Sequence, residues 1–132
     1  MKIRTDFVTN SSSSSFVIAY RVNKCDDLIR HMEEEYGKYG AKLIEEYLVP
    51  GKDILATKDE DDLSDVLGNY YADYEYEIVK EEVEKHPDSF YLSTRIYLED
   101  TEGGVMPEDS LWLAHHIPEK YIEMIFEGEP DY

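Results

Sequence analysis

The sequence predicts a single α+β domain in which a small antiparallel sheet packs against several helices. Three features carry that expectation: a β-branched and aromatic run at Phe16–Val22, an alternating run at Phe90–Leu98, and apolar residues between them that recur in steps of three and four. A chain of 132 residues suits one domain, and such a domain buries roughly two-thirds of the surface its unfolded form exposes. With 42% of residues hydrophobic and 13% aromatic, a packed core is compatible with the high charge. No repeat and no linker divides residues 1–132.

Each element has its own signal. Phe16–Val22 is too short for a typical helix and reads as a largely buried strand, which makes the serine-rich stretch 9–15 before it a loop. Asp26 is placed to cap a helix that carries Leu28, Ile29, Met32 and Tyr36 on one face and Glu33, Glu34 and Glu35 on the other. Gly37 is a natural end for it, and a second stretch with Leu43, Ile44, Tyr47 and Leu48 on one face runs to Pro50-Gly51. A single helix crossing Gly37 and Gly40 would cost only about 1 kcal/mol per glycine, so both arrangements stay open.

The longest periodic pattern is Leu63, Val66, Leu67, Tyr70, Tyr71, Tyr74 and Ile78, which predicts one continuous helix stopped by His86-Pro87. Asp59, Glu60, Asp61 and Asp62 suit the positive end of its dipole. Phe90, Leu92, Thr94, Ile96 and Leu98 then alternate with Tyr91, Ser93, Arg95 and Tyr97, as in a half-buried strand. A turn at Asp100–Gly104, a short strand at Leu111–Ala114 and a last helix from Pro118, with Tyr121, Met124 and Ile125 inward, complete the expected order.

Charge narrows the function. Thirteen Lys and Arg against thirty-one Asp and Glu leave a net charge of −18, which argues against a surface for nucleic-acid phosphates or anionic lipid and favours a basic protein as partner. The balance is uneven: +3 over residues 1–25 and −21 over residues 26–132. The basic start is read as a strand docked on its own acidic domain rather than as an independent arm. Cys25 is the only cysteine, a usage expected of a reducing compartment, so the cytoplasm is the expected location. No apolar run approaches the ~20 residues of a membrane span, and Phe16–Val22 is too short and too late for a secretory signal.

Most chemistries lack their residues. The Gly-x-Ser-x-Gly elbow of serine hydrolases is absent. Cys25, His31, His86, His115 and His116 show no metal-ligand spacing, and an EF-hand starting at Asp59 would need glycine at Ser64 and glutamate at Tyr70. No cofactor is implied. Thr9, Asn10, Ser11, Ser12, Ser13, Ser14 and Ser15 could wrap a phosphate with hydroxyl and backbone N–H groups, although the run lacks the glycines and lysine of a phosphate loop.

Residues 59–84 hold eleven acids and one lysine. They are either a solvated outer face over core tyrosines, or a working surface on which Asp61, Asp62, Asp65, Tyr70, Tyr71, Asp73, Tyr74 and Glu77 meet a basic protein, as inhibitor and immunity-type proteins do. The expected function is therefore a non-enzymatic interaction domain. The alternatives are a small phosphate-ligand-binding protein or enzyme using the serine-rich loop, or a structural component of a bacterial or phage assembly.

The opening Phe7-Val8, Asn10, Ser11–Ser15 and Phe16, behind a basic start, resembles the start of a scattered set of small proteins from bacteria and their mobile elements, which look alike mainly there. The match spans about 18 residues at the N-terminus, counted from Met1 to Ile18. It implies no catalytic residue and no cofactor, only a strand, serine-rich turn and strand, or a tag read by a partner.

Overall fold

Ser15–Val22 forms β1, the strand on which the sheet is built. In the computed structural model, which describes residues 15–97 and 109–129, the following elements are α1 (Asp26–Tyr47), β2 (Val49–Pro50), α2 (Gly51–Leu55), α3 (Glu60–Leu67), α4 (Asp73–Lys85), β3 (Phe90–Tyr97), α5 (Asp109–His116), a 3-10 turn at Glu119–Tyr121 and β4 (Ile122–Glu127). The sheet order is β2-β3-β1-β4 with all neighbours antiparallel. β1 pairs with β3 over their full lengths, from Ser15 opposite Tyr97 to Val22 opposite Phe90.

Strand alternation sends Val17 and Ala19 to one face of the sheet and Ile18, Tyr20 and Val22 to the other, and both faces are covered. On the first, Val17, Ala19, Tyr91 and Phe126 pack with Ile54, Leu63, Leu67, Tyr71, Tyr76, Val79 and Val83 of the α2–α4 region. On the second, Val22 and Leu92 pack with Leu28, Met32, Leu43 and Ile44 of α1 and Leu113 of α5. The middle of β3 is therefore buried on both sides, at Tyr91, Leu92, Ser93 and Thr94, rather than half-buried. Its two polar residues are satisfied: the Ser93 hydroxyl lies 2.6 Å from that of Tyr71, and the Ser110 hydroxyl donates to Thr94 at 3.2 Å.

α1 contains the break anticipated at Gly37, whose φ of 68° interrupts the helical backbone. Residue 40 has to be a glycine, because a Cβ there would sit 2.7 Å from the carbonyl oxygen of Met32 across the kink. Cys25 is the N-cap, and Asp26 lies in the first turn, where its charge favours the helix dipole. Trp112 of α5 stacks on His116 at 4.1 Å and meets Tyr36 and Tyr39 of α1 edge-on, which ties the two helices of this layer together.

Further expectations are corrected. The periodic stretch 63–78 is two helices: α3 ends at Gly68, which adopts a left-handed φ of 81° and donates its N–H to the Ser64 carbonyl at 2.8 Å. Leu111–Ala114 lies within helix α5, and the segment after Pro118 is the 3-10 turn and strand β4. In β4 the register shifts opposite Ala19 and Tyr20, so Ile125 and Phe126 both pack against the first core cluster. Ser15 opens β1 instead of closing a loop, while Thr9 to Ser14 and the turn at Asp100–Gly104 lie outside the described residues.

Gly68, which ends α3, and Gly40, three residues past the break in α1, predict different costs. Gly68→Ala has open space around its Cβ and pays only the left-handed backbone, about 1 kcal/mol. Gly40→Ala forces a shift of main chain and costs more, roughly 1–3 kcal/mol. Urea denaturation of the two variants gives this order.

Candidate functional site

The acidic stretch is shaped by how α3 and α4 are capped. The Asp59 carboxylate accepts the N–H of Asp62 at 2.9 Å, and Asp62 in return accepts that of Lys58 at 3.1 Å. Asp62 is thus half-buried and engaged in this capping turn. Leu63 and Leu67 face the core, which leaves Asp61, Asp65 and Val66 outward.

The turn after Gly68 is held by side chains. Ser64 donates its hydroxyl to the Glu60 carbonyl and accepts the Tyr71 N–H at 2.9 Å, Asn69 donates to the Ser93 hydroxyl at 3.1 Å, and Arg95 donates to the Tyr70 carbonyl at 2.8 Å. These bonds drive Tyr71 into the core, where it is fully buried near Phe126. Tyr71, expected on the partner surface, is therefore a core residue inaccessible to any partner. Burial pushes its hydroxyl well above the ordinary value of 10.0, an effect the Ser93 hydrogen bond partly offsets and the Glu75 carboxylate reinforces.

Resetting the chain at 68–72 also resets the helical phase. Glu75, Tyr76, Val79 and Val83 face inward on α4, and the buried Glu75 accepts the Ala72 N–H at 2.8 Å. The outward side then carries Asp73, Glu77, Glu81 and Glu84 in steps of four, four and three, which is one row on a helix. Tyr74 and Ile78 form the adjacent row, 58% and 43% exposed, and Tyr70 before them is 67% exposed. No ion pair engages Asp61, Asp65, Asp73, Glu77, Glu81 or Glu84 among the described residues.

The nearest cations on α4 are committed. Lys80 donates at 3.0 Å to both the Tyr76 hydroxyl and the Thr57 carbonyl, and this bond to Tyr76, with the charges of Glu84 and Glu77, keeps its amine above the usual lysine value. Lys85 pairs with Glu82. Acids are also exposed on the opposite layer, at Asp26, Asp27, Glu33, Glu34, Glu35, Glu45 and Glu46 of α1, so the negative charge surrounds the helical exterior. What distinguishes the α4 side is the exposed aromatic and aliphatic row beside the acids.

The structure thus brings Asp61, Asp65, Tyr70, Asp73, Tyr74 and Glu77 to the surface as expected and removes Tyr71. Glu81, Glu84 and Ile78 are additions. Glu81 and Glu84 follow from extending the Asp73–Glu77 spacing by one and two turns, whereas Ile78 had the pattern of a core residue and no sequence signal for exposure. His115 is exposed while His116 turns onto Trp112, and no group of three or more His, Cys, Asp or Glu among the described residues could hold a metal ion. No described helix is long and apolar enough to cross a membrane. Compared with protein-family models, curated proteins and solved structures, the chain matches none.

The raised Tyr71 hydroxyl has a pH signature. Unfolded, this tyrosine ionises near 10; folded, it stays protonated, so its contribution to stability is complete below pH 10 and is lost as the pH rises toward the folded value. Urea stability is expected to fall from about pH 8 to about pH 11, and Tyr71→Phe, at a cost of about 1 kcal/mol near neutrality, should reduce that fall. An equal fall in the variant would show that other groups cause it.

Proposed function

We propose that this is a non-enzymatic acidic interaction protein whose α4 side binds a basic protein, acting as an inhibitor or immunity-type partner does. The observation that carries the reading is the pairing of two rows: Tyr74 and Ile78, with Tyr70 leading into them, beside carboxylates that lack ion-pair partners among the described residues. Exposed tyrosine supplies rigid apolar area at little entropic cost, and such side chains dominate interface energetics. The surrounding charge speeds encounter with a cationic surface and penalises anionic competitors, nucleic acid included. The lone thiol Cys25 supports a cytoplasmic setting for this activity.

Capture from a lysate of the native host at low and high salt, read by mass spectrometry, identifies the partner, and kinetics then test the surface. Neutralising Asp73, Glu77, Glu81 and Glu84 to their amides should slow association by about tenfold at low salt, with the effect shrinking as salt rises. Tyr70→Ala with Tyr74→Ala should instead speed dissociation, at a cost of roughly 2 kcal/mol or more. Capture that ignores both salt and the fourfold neutralisation would refute the proposal.

A further inference from the structure

A groove of about 490 Å³ opens between the two helical layers, where the C-terminal ends of α1 and α3 meet the first turn of α5 over the middle of β3. Val49, Val66 and Leu67 give it apolar walls, and Asn69, Ser93 and Ser110 supply polar groups. Asp73, Tyr74, Glu77 and Ile78 do not line it, so it is distinct from the α4 side. Its volume is that of a site for a small molecule.

The groove holds a donor that the fold leaves over. A serine hydroxyl offers one hydrogen and two lone pairs. On Ser93 both lone pairs are taken: the Asn69 amide donates to one at 3.1 Å, and the phenol of Tyr71, the more acidic of two hydroxyls 2.6 Å apart, donates to the other. These contacts satisfy the Ser93 oxygen but not its hydrogen, which has no acceptor among the described residues. Ser93 is only 3% exposed, and the groove is the space beside it. A donor so buried is costly without an acceptor, and native structures leave few. Ser110, equally buried, gives its hydrogen to Thr94 and keeps lone pairs of its own.

The rim has the opposite character. Neither α1 nor α3 carries a basic residue in its last turn, so the negative ends of two helix dipoles reach the groove without a cation of their own. Glu46, exposed and without an ion pair among the described residues, adds a full charge there. Asp109 accepts the Tyr39 hydroxyl at 2.9 Å and offsets the positive end of α5. No lysine or arginine lines the groove.

We propose that this groove is a ligand site for a small primary amine that carries a hydrogen-bond acceptor on an apolar body. The ammonium lies at the rim beside Glu46 and the two helix ends, the body rests against Val49, Val66 and Leu67, and the acceptor takes the Ser93 hydrogen. An anion is repelled at the rim, and a wholly apolar molecule would leave the buried hydroxyl unmet.

The test titrates the full chain with tyramine, whose phenol oxygen and ammonium stand at opposite ends of an aromatic body, and follows amide NMR shifts and the heat of binding. Saturable binding is expected, with a dissociation constant on the order of 1 mM or below and shifts centred on Asn69, Ser93 and Ser110. Phenethylamine, which lacks the phenol oxygen, and 4-ethylphenol, which lacks the ammonium, should each bind about fivefold more weakly or worse. Glu46→Gln should weaken tyramine about threefold, whereas Glu33→Gln with Glu34→Gln, on the exterior of α1, should change its affinity less than about twofold. Ser93→Ala should abolish the preference for tyramine over phenethylamine. Because that variant also removes the partner of Tyr71, Val66→Trp at the exposed groove wall serves as a second one and should weaken tyramine about tenfold. Four results would each overturn the proposal: phenethylamine binding as tightly as tyramine, equal losses in the Glu46 and α1-exterior variants, tyramine binding unchanged by Val66→Trp, or shifts that do not saturate.

Discussion

Inside the core beneath α3 and α4, the hydroxyls of Tyr71 and Ser93 meet, and that contact sets the phase of the chain from residue 60 to residue 85. Burying a phenol without a partner would cost on the order of 2 kcal/mol or more. Ser93, deep in a central strand, provides the partner, and the Asn69 amide shares it. Once Tyr71 is fixed there, the helix begun at Glu60 has to stop at Gly68, and the one begun at Asp73 presents a rotated surface. The exterior of α4 is thus a consequence of an interior bond.

That dependence explains what could be read in the sequence. The strands Ser15–Val22 and Phe90–Tyr97 were legible because β-branched and aromatic residues concentrate there, and the kink in α1 because glycine marked it. The run from Leu63 to Ile78 was misleading for a physical reason: steps of three and four continue through Gly68, yet the residues divide between a core set (Leu63, Leu67, Tyr71) and an exposed set (Val66, Tyr70, Tyr74, Ile78). Periodicity reports local spacing, and only a long-range contact with Ser93 decides where the spacing restarts. Leu111–Ala114 and Ile122–Glu127 exchanged identities because each is too short for its period to discriminate, so the layer that covers them decided.

Of the candidate surface, the acids were legible and their companions were not. Carboxylates belong outside in any fold, so Asp61, Asp65, Asp73 and Glu77 could be placed without knowing the topology. Tyrosine is ambivalent: Tyr71 and Tyr70 are neighbours in sequence, yet one is fully buried and the other is 67% exposed. The groove beside β3 had no sequence signal, since it is assembled from β2, β3, α5 and the helix ends around Glu46 and Leu67.

The unequal margins of the sheet bear on how copies of this chain could associate. A strand surface that is receptive at both borders supports head-to-tail growth without limit, the route to fibres. Here Glu123, Glu127 and the bulged backbone close one border, and at the other the β3 residues Leu92, Ser93 and Thr94 lie buried beneath the helical layers. Among the described residues neither border offers the exposed row of main-chain groups that such growth needs, so the sheet opposes polymerisation at both ends.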